Sequence, residues 1–218
     1  MIVVFFDVDN TLFDMQRFRQ TFDSALVESA GASAAARLWE QYEAVRSEFG
    51  HVDLPEAVRR LTTERPAAGA AVTQVIERFD YPSLVAPGAP AAIAAARRIG
   101  RPVIVSDGDP HFQREKIRRS GLEAAVNGDV RVYRHKEAHL AELLADFSAD
   151  RYWMVDDKAR LLGIFKRTLG DRITTVQIAY GKYSSAGPDA GDPAPDRTIG
   201  RIGDLAALLE TVSSPRSR

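Results

Sequence analysis

Cysteine is absent from the 218 residues. That excludes disulfide scaffolds, thiolate zinc sites, iron–sulfur clusters and cysteine nucleophiles together. Lysine is scarce, present only at positions 116, 136, 158, 166 and 182, so nearly all of the 29 basic residues are arginine. Neither sign of charge is in excess. Thirty acidic side chains leave a net charge of −1, which disfavours a strongly cationic nucleic-acid binder or a basic membrane-surface protein. No apolar run approaches the ~20 residues of a membrane helix. The apolar start at residues 2–6 stops at Asp7, too short for a signal peptide and without a basic flank. The expectation is a cytoplasmic protein with neither a membrane nor a nucleic-acid partner.

What is present is the composition of an ordinary globular chain, 45% hydrophobic and 27% charged. The length suits one core domain carrying a sizeable insertion. Short, β-branched apolar runs at residues 2–6, 103–105, 152–155 and 173–178, with a weaker one at 130–133, fit strands buried on both faces of a parallel sheet. Helical patterns at 90–99, 111–120, 137–147 and 159–169 alternate with them, the signature of βαβ crossovers. Residues 16–82 break this rhythm with helix after helix, at 16–30, 33–49, 54–64 and 69–79. The expected fold is therefore α/β: a three-layer, Rossmann-like parallel-sheet core (1–15 and 83–218) with an all-helical cap insertion (16–82). Residues 184–198, rich in Pro and Gly, read as a surface loop, Asp204 as the cap of a terminal helix, and 213–218 as a frayed tail.

Chemistry-bearing residues fall just beyond the apolar runs. Asp7-Val8-Asp9-Asn10-Thr11 places two carboxylates and a hydroxyl after the first strand, on the edge where open α/β sheets bind ligands. Two such carboxylates repel unless a cation lies between them, so a divalent metal is a natural partner; a solvated Asp-Asn turn is the alternative. Asp156-Asp157 follows another strand and reads either as a second metal-binding pair or as a turn capping the next helix. Ser106-Asp107-Gly108 ends a third and can hold a phosphoryl oxygen or simply cap a turn. Lys136 follows the weak strand, while Lys116, Lys158, Lys166 and Lys182 read as solvated side chains.

In their joint order these four segments resemble the four motifs of the haloacid dehalogenase superfamily, over residues 1–15 and about 84–182, and the helical insertion looks like that family's cap. The resemblance implies a phosphoric monoester hydrolase that uses Mg²⁺ on a small phosphorylated metabolite. By it, Asp7 is the nucleophile that forms an aspartyl-phosphate and Asp9 the general acid and base. Ser106 and Lys136 bind and neutralise the phosphoryl group, with Thr11, Asp107 and Gly108 shaping the substrate site. Asp7, Asp156, Asp157 and the Asp9 backbone carbonyl hold the metal. Asp9 favours a phosphate ester over a haloacid, because similar dehalogenases keep no Asp there. A sugar phosphomutase using the same intermediate, and a non-catalytic phosphate-ligand binding protein, are the alternatives. Asp107 stands where the family has Asn, and its charge is tolerable beside phosphate only if it points away or binds a backbone N–H.

Other features have plainer readings. His135 and His139 are spaced like zinc ligands but read as a surface pair at a helix start. Arg114, Lys116, Arg118 and Arg119 read as a solvated helix face rather than a polyanion site. Phe18, Phe22, Trp39, Tyr42 and Phe49 read mostly as cap core.

Overall fold

The structure, a computed structural model, describes residues 1–50, 53–181 and 186–213. Lys182, the first residues of the 184–198 segment and the tail beyond 213 lie outside that range. Among the described residues six strands form one parallel sheet: β1 (Ile2–Phe6), β2 (Arg101–Asp107), β3 (Val130–Tyr133), β4 (Arg151–Asp156), β5 (Ile173–Ile178) and β6 (Arg197–Ile199), in the order β3-β2-β1-β4-β5-β6. The chain builds outward from β1 to β3 on one side, then returns to β1's other side with β4. The order therefore reverses at β1/β4, and the crevice beyond the carboxyl ends of β1, β2 and β4 is where such a sheet binds ligands.

Alternate strand residues serve two separate apolar layers. Val3 and Phe5 of β1 join Val103, Val105, Tyr152 and Met154 beneath α8 (Leu140–Asp146) and α9 (Ala159–Leu169). Val4 and Phe6 join Ile104 and Val155 beneath α5 (Ala89–Ile99) and α10 (Leu205–Ser213). This double covering explains why the central strands are nearly continuous runs of Val, Ile and Phe. On the second face also lie α6 (Pro110–Arg119), through Ile117, and the single turn α7 (Leu122–Ala125).

Between β1 and α5 stand α1 (Met15–Ala30), α2 (Ala32–Phe49), α3 (Leu54–Glu64) and α4 (Pro66–Arg78). The side chains of Asp14 and Asp53 accept from Arg17 N and Glu56 N to start α1 and α3. A ladder of rings ties these helices to the loop after β1: Phe13 lies 5.9 Å from Phe18, and Phe18 lies 5.2 Å from Phe22 and 5.4 Å from Phe79. Two backbone bonds, Asp14 N to Leu84 O and Ala86 N to Leu12 O, both 2.9 Å, pin the outgoing and returning chain together. Arg119 of α6 donates to the carbonyls of Ile76 and Glu77 at 2.8 Å and of Phe79 at 3.0 Å, supplying partners to the open end of α4.

Several expectations need correction. Residues 197 and 198, expected as loop, belong with Ile199 to the edge strand β6; it pairs with one neighbour only, and apart from the half-buried Ile199 its side chains are polar and exposed. The 137–147 helix opens as a 3-10 turn at Lys136–His139, and Ile202–Asp204 is likewise 3-10 before α10. Phe49 is exposed rather than cap core. The basic face of α6 is not solvated throughout: Arg114 and Arg118 are exposed and pair with Glu123 and Glu115, but Arg119 caps α4 and Lys116 is buried. Among the described residues no helix is long and apolar enough to cross a membrane.

Gly88, at the start of α5, has φ +88°, and a Cβ there would stand 2.5 Å from the Cα of Gly203. Gly121 shares the left-handed conformation at φ +80° with open space around it. Gly121→Ala should cost about 1–2 kcal/mol from the backbone alone, and Gly88→Ala distinctly more, because a backbone neighbour cannot swing aside. Denaturant unfolding of both variants checks this; equal losses would contradict the close packing.

Candidate active site

Each candidate residue sits where a buried strand stops. Asp7 follows β1 with its N–H on Val155 O at 2.9 Å, Asp156 ends β4 with Asp157 next, and Ser106 and Asp107 end β2. The 3-10 turn after β3 carries Lys136. The sheet register thus gathers residues separated by up to 150 positions at one point.

Lys136 is fully buried at that point. Its Nζ lies 2.6 Å from Asp7 Oδ1, 2.6 Å from Asp156 Oδ2 and 3.3 Å from the Val105 carbonyl. Burial opposes the Lys136 ammonium, but Asp156, Asp7 and Asp107 outweigh it and hold its pKa well above the ordinary lysine value. Asp7, Asp156 and Asp157 each offer an oxygen within 4.8 Å of the others, and all three are buried. Burial pushes the Asp7 carboxyl up to about 7, Lys136 pulling against it. Burial, with Asp156 and Asp7 nearby, pushes Asp157 up to about 8. Asp7 Oδ2 and Asp157 Oδ1 have no hydrogen-bond partner.

Those two oxygens show what the cluster fits. Buried carboxylate oxygens without donors are costly. Among the described residues, Asp7, Asp9, Asp107, Asp156 and Asp157 outnumber the lysines that pair with them, Lys116, Lys136 and Lys158, by two. An all-oxygen set with two uncompensated negative charges suits a hard divalent cation. Asp7, Asp156 and Asp157 are the side chains positioned to hold one, whereas the Asp9 carboxylate is turned to α6, on Lys116 and Gln113.

Asp107 resolves its own conflict in the way its charge demands. Its Oδ1 accepts from Lys136 N at 2.8 Å and its Oδ2 from Lys158 Nζ at 3.0 Å, and these cations overcome burial to hold its carboxyl below the usual range. It braces the Lys136 turn, and its carboxylate is already engaged. Gly108, at φ +135°, donates to Tyr133 O at 2.9 Å and lines the cleft. Thr11 is buried behind the first turn, lining a separate cavity of about 250 Å³ with Phe13 and Tyr180, and does not line the main cleft. That turn closes through Leu12 N and Phe13 N on Val8 O, both 2.9 Å, which places Thr11 away from the other site residues.

Four participants are not visible in the sequence reading. Asn10, at φ +60°, donates through Nδ2 to Asp157 Oδ2 at 2.9 Å; the Asp-Asn pair was a signal, since Asn tolerates left-handed backbone. Lys158 reaches Asp107, and Lys116 reaches Asp9, so neither is a plain solvated side chain. Gln113 Nε2 donates to Ser106 Oγ at 2.9 Å. His139 pairs with Glu142 and stacks on Tyr133, a structural contact rather than a metal one. A cleft of about 900 Å³ opens above the cluster, lined from the sheet side by Asp9, Gly108, Lys116 and Asp157 and from the helical side by Arg19, Trp39 and Tyr42.

Asp7 and Asp157 keep protons when folded up to about 7 and 8, while the same carboxyls in the unfolded chain release theirs near 3.8. The folded state then binds more protons across that window, so stability falls as pH rises through it. Chelator-treated protein should resist denaturant better at pH 5.5 than at pH 8, and Asp157→Asn should shrink the difference. Equal stability at both values would contradict the burial of these carboxylates as charges.

Comparison with known proteins agrees with this arrangement. The family model of haloacid dehalogenase-like hydrolases matches residues 1–160. A haloacid dehalogenase-like hydrolase from Burkholderia xenovorans is 35% identical, with a TM-score of 0.87 over 98% of this chain and 99% of its own. The L-2-haloacid dehalogenase of Xanthobacter autotrophicus shares the fold at 17% identity and a TM-score of 0.61, over 96% of this chain and 99% of its own. A magnesium-bound hydrolase of the same type from Bacillus subtilis does so at 16% identity and 0.64, over 95% and 97%. Among curated proteins none matches. With a buried acidic cluster of the kind that serves a divalent metal in this family, and with the family model spanning most of its length, the chain belongs to the haloacid dehalogenase-like hydrolases and is an enzyme.

Proposed function

We propose that the enzyme is a Mg²⁺-dependent phosphatase that hydrolyses a small phosphomonoester through an aspartyl-phosphate on Asp7. The supporting observation is the buried trio Asp7, Asp156 and Asp157 with two unpartnered oxygens. Displacement of halide from carbon needs no metal ion, so three buried carboxylates with unpartnered oxygens fit a metal-assisted phosphoryl transfer better. A site for a phosphate dianion needs a cation to bring the two anions together, and the unpartnered oxygens of the trio support one here. The cleft volume suits a small metabolite. The near-balanced charge and the dispersal of the α6 arginines into ion pairs fit such a substrate better than a nucleic acid or membrane surface. We place its action in the cytoplasm.

In this reading Lys136 fixes Asp7 through Oδ1, leaving Oδ2 to attack phosphorus. As the Asp7 Oδ2–phosphorus bond forms, the bond to the leaving alcohol breaks and Asp9 delivers its proton to that oxygen. Ser106 Oγ already accepts from Gln113, so its own O–H is free to donate to a phosphoryl oxygen. The Lys136 ammonium offsets charge on the same group. Water then attacks phosphorus, Asp9 takes its proton, and inorganic phosphate leaves as Asp7 is regenerated. Asp7, Asp156 and Asp157 would hold Mg²⁺, which would supply Lewis-acid stabilisation of the charge on the transferring group. Trp39 and Tyr42 on the helical side line the space left for the alcohol.

With 4-nitrophenyl phosphate and Mg²⁺, Asp7→Asn should abolish measurable turnover. Asp9→Ala should accumulate a hydroxylamine-sensitive phosphoenzyme, because loss of the base slows its hydrolysis. Chloride release from 2-chloropropionate, with no phosphate released from any ester, would replace the phosphatase reading with a dehalogenase.

A further inference from the structure

Helix α6 sends two polar side chains into the site from one face. Gln113 and Lys116 lie three residues apart, one helical turn, and are 4% and 2% exposed. Burying an amide and an ammonium is costly unless each is bonded. Both are bonded to the same carboxylate: Lys116 Nζ holds Asp9 Oδ1, and Gln113 Nε2 donates to Asp9 Oδ2 at 3.2 Å. The same Nε2 lies 2.9 Å from Ser106 Oγ and 2.8 Å from the Asp107 carbonyl, so its two hydrogens are shared among three acceptors. One amide therefore ties the carboxylate after β1 to the hydroxyl at the end of β2.

The surroundings fix both side chains. Gln113 passes so close to residue 108 that a Cβ there would meet its Cγ at 2.8 Å, and Gly108 leaves the room it occupies. Pro110 and the Asp109 side chain, which accepts from Phe112 N at 2.8 Å, set where α6 begins and hence where its next turn points. The Lys116 ammonium sits 5.2 Å from the Phe13 ring centroid and 4.0 Å from Met15 Sδ. It is thereby walled in by the chain that follows Asp9.

We infer that Gln113 and Lys116 are positioning residues that clamp both oxygens of Asp9 and hold it in register with Ser106. The inference rests on the proposed role of Asp9 as acid and base. A carboxylate on a loop samples several rotamers, and proton transfer needs one of them, within hydrogen-bond reach of the leaving oxygen. The clamp leaves Asp9 facing the cleft while removing its freedom to turn. The role assigned to both α6 residues is exerted through Asp9 and Ser106, the groups they bond.

The test uses the full-length protein with Mg²⁺ and two esters, 4-nitrophenyl phosphate and phenyl phosphate, with Lys116→Met and Gln113→Met as separate variants. A good leaving group needs little protonation and a poor one needs much. Each variant should therefore lose less than about tenfold in kcat/KM on the nitrophenyl ester and on the order of 10²-fold on the phenyl ester. On an Asp9→Asn background the further loss should vanish. Equal losses on both esters, or full losses added to Asp9→Asn, would overturn the inference, because a merely structural side chain does not sense the leaving group. Crystal structures of the two variants decide the matter independently of activity: the Asp9 carboxylate should leave its wild-type direction in both, and an unmoved carboxylate would overturn the clamp. Wild-type protein that turns over neither ester would defeat the phosphatase reading, with the variant structures still deciding the positioning.

Discussion

The contact on which the site depends is the buried ammonium of Lys136 between the carboxylates of Asp7 and Asp156, 2.6 Å from each. Three acids at the ends of two adjacent strands repel one another, and in a dry sheet edge that repulsion is strong. Lys136 makes the arrangement tolerable without cancelling it. Burial, with one positive charge against three negative ones, leaves Asp7 and Asp157 with raised pKa values and each with an oxygen lacking a partner. The fold stops short of neutrality, and a deficit of that kind suits a divalent cation. Removing Lys136 would strand the carboxylates, which is the costly way to break a buried ion pair.

Lys136 reaches that position because Asp107 holds the turn that carries it. The backbone N–H of residue 136 bonds to Asp107, and Lys158 balances the same carboxylate from the β4 side. The Asp107 carboxylate is thus a strut between β2, the turn after β3 and the start of α9. The helical region is joined to the site as firmly. The rings from Phe13 through Phe18 to Phe22 and Phe79 run from the first turn into α1 and the end of α4, and Arg119 ties α6 to α4's last carbonyls. The cleft is consequently a joint product of both regions.

How much of this the sequence carried depended on whether the signal was local. The strand starts and stops were legible because β1, β4 and β5 are apolar on both faces and end on Asp or Gly-containing turns. Asp7, Ser106, Lys136 and Asp157 stood out by that placement. Gln113, Lys116 and Lys158 did not, because nothing within a helix turn of them tells an inward polar side chain from a solvated one; Lys116 is partnered by a residue 107 positions away. Helix α6 is rich in charge, so its buried face is marked by few apolar residues, chiefly Phe112 and Ile117, and its basic residues looked alike. Strand β6 escaped notice for the opposite reason. It is held by backbone pairing to β5 and by Asp196 on Thr175, with no apolar side chain advertising it as a strand apart from Ile199.

The central claim is that Asp7, through the oxygen Lys136 leaves free, takes up the phosphoryl group. Its most direct test is a crystal structure of the wild-type protein soaked with Mg²⁺ and beryllium fluoride, a stable mimic of an acyl phosphate. The account predicts continuous density from Asp7 Oδ2 to beryllium, with Ser106 Oγ and Lys136 Nζ within hydrogen-bond distance of the fluorides. An adduct on Asp9, Asp156 or Asp157, or fluoride bound with no link to Asp7, would contradict it.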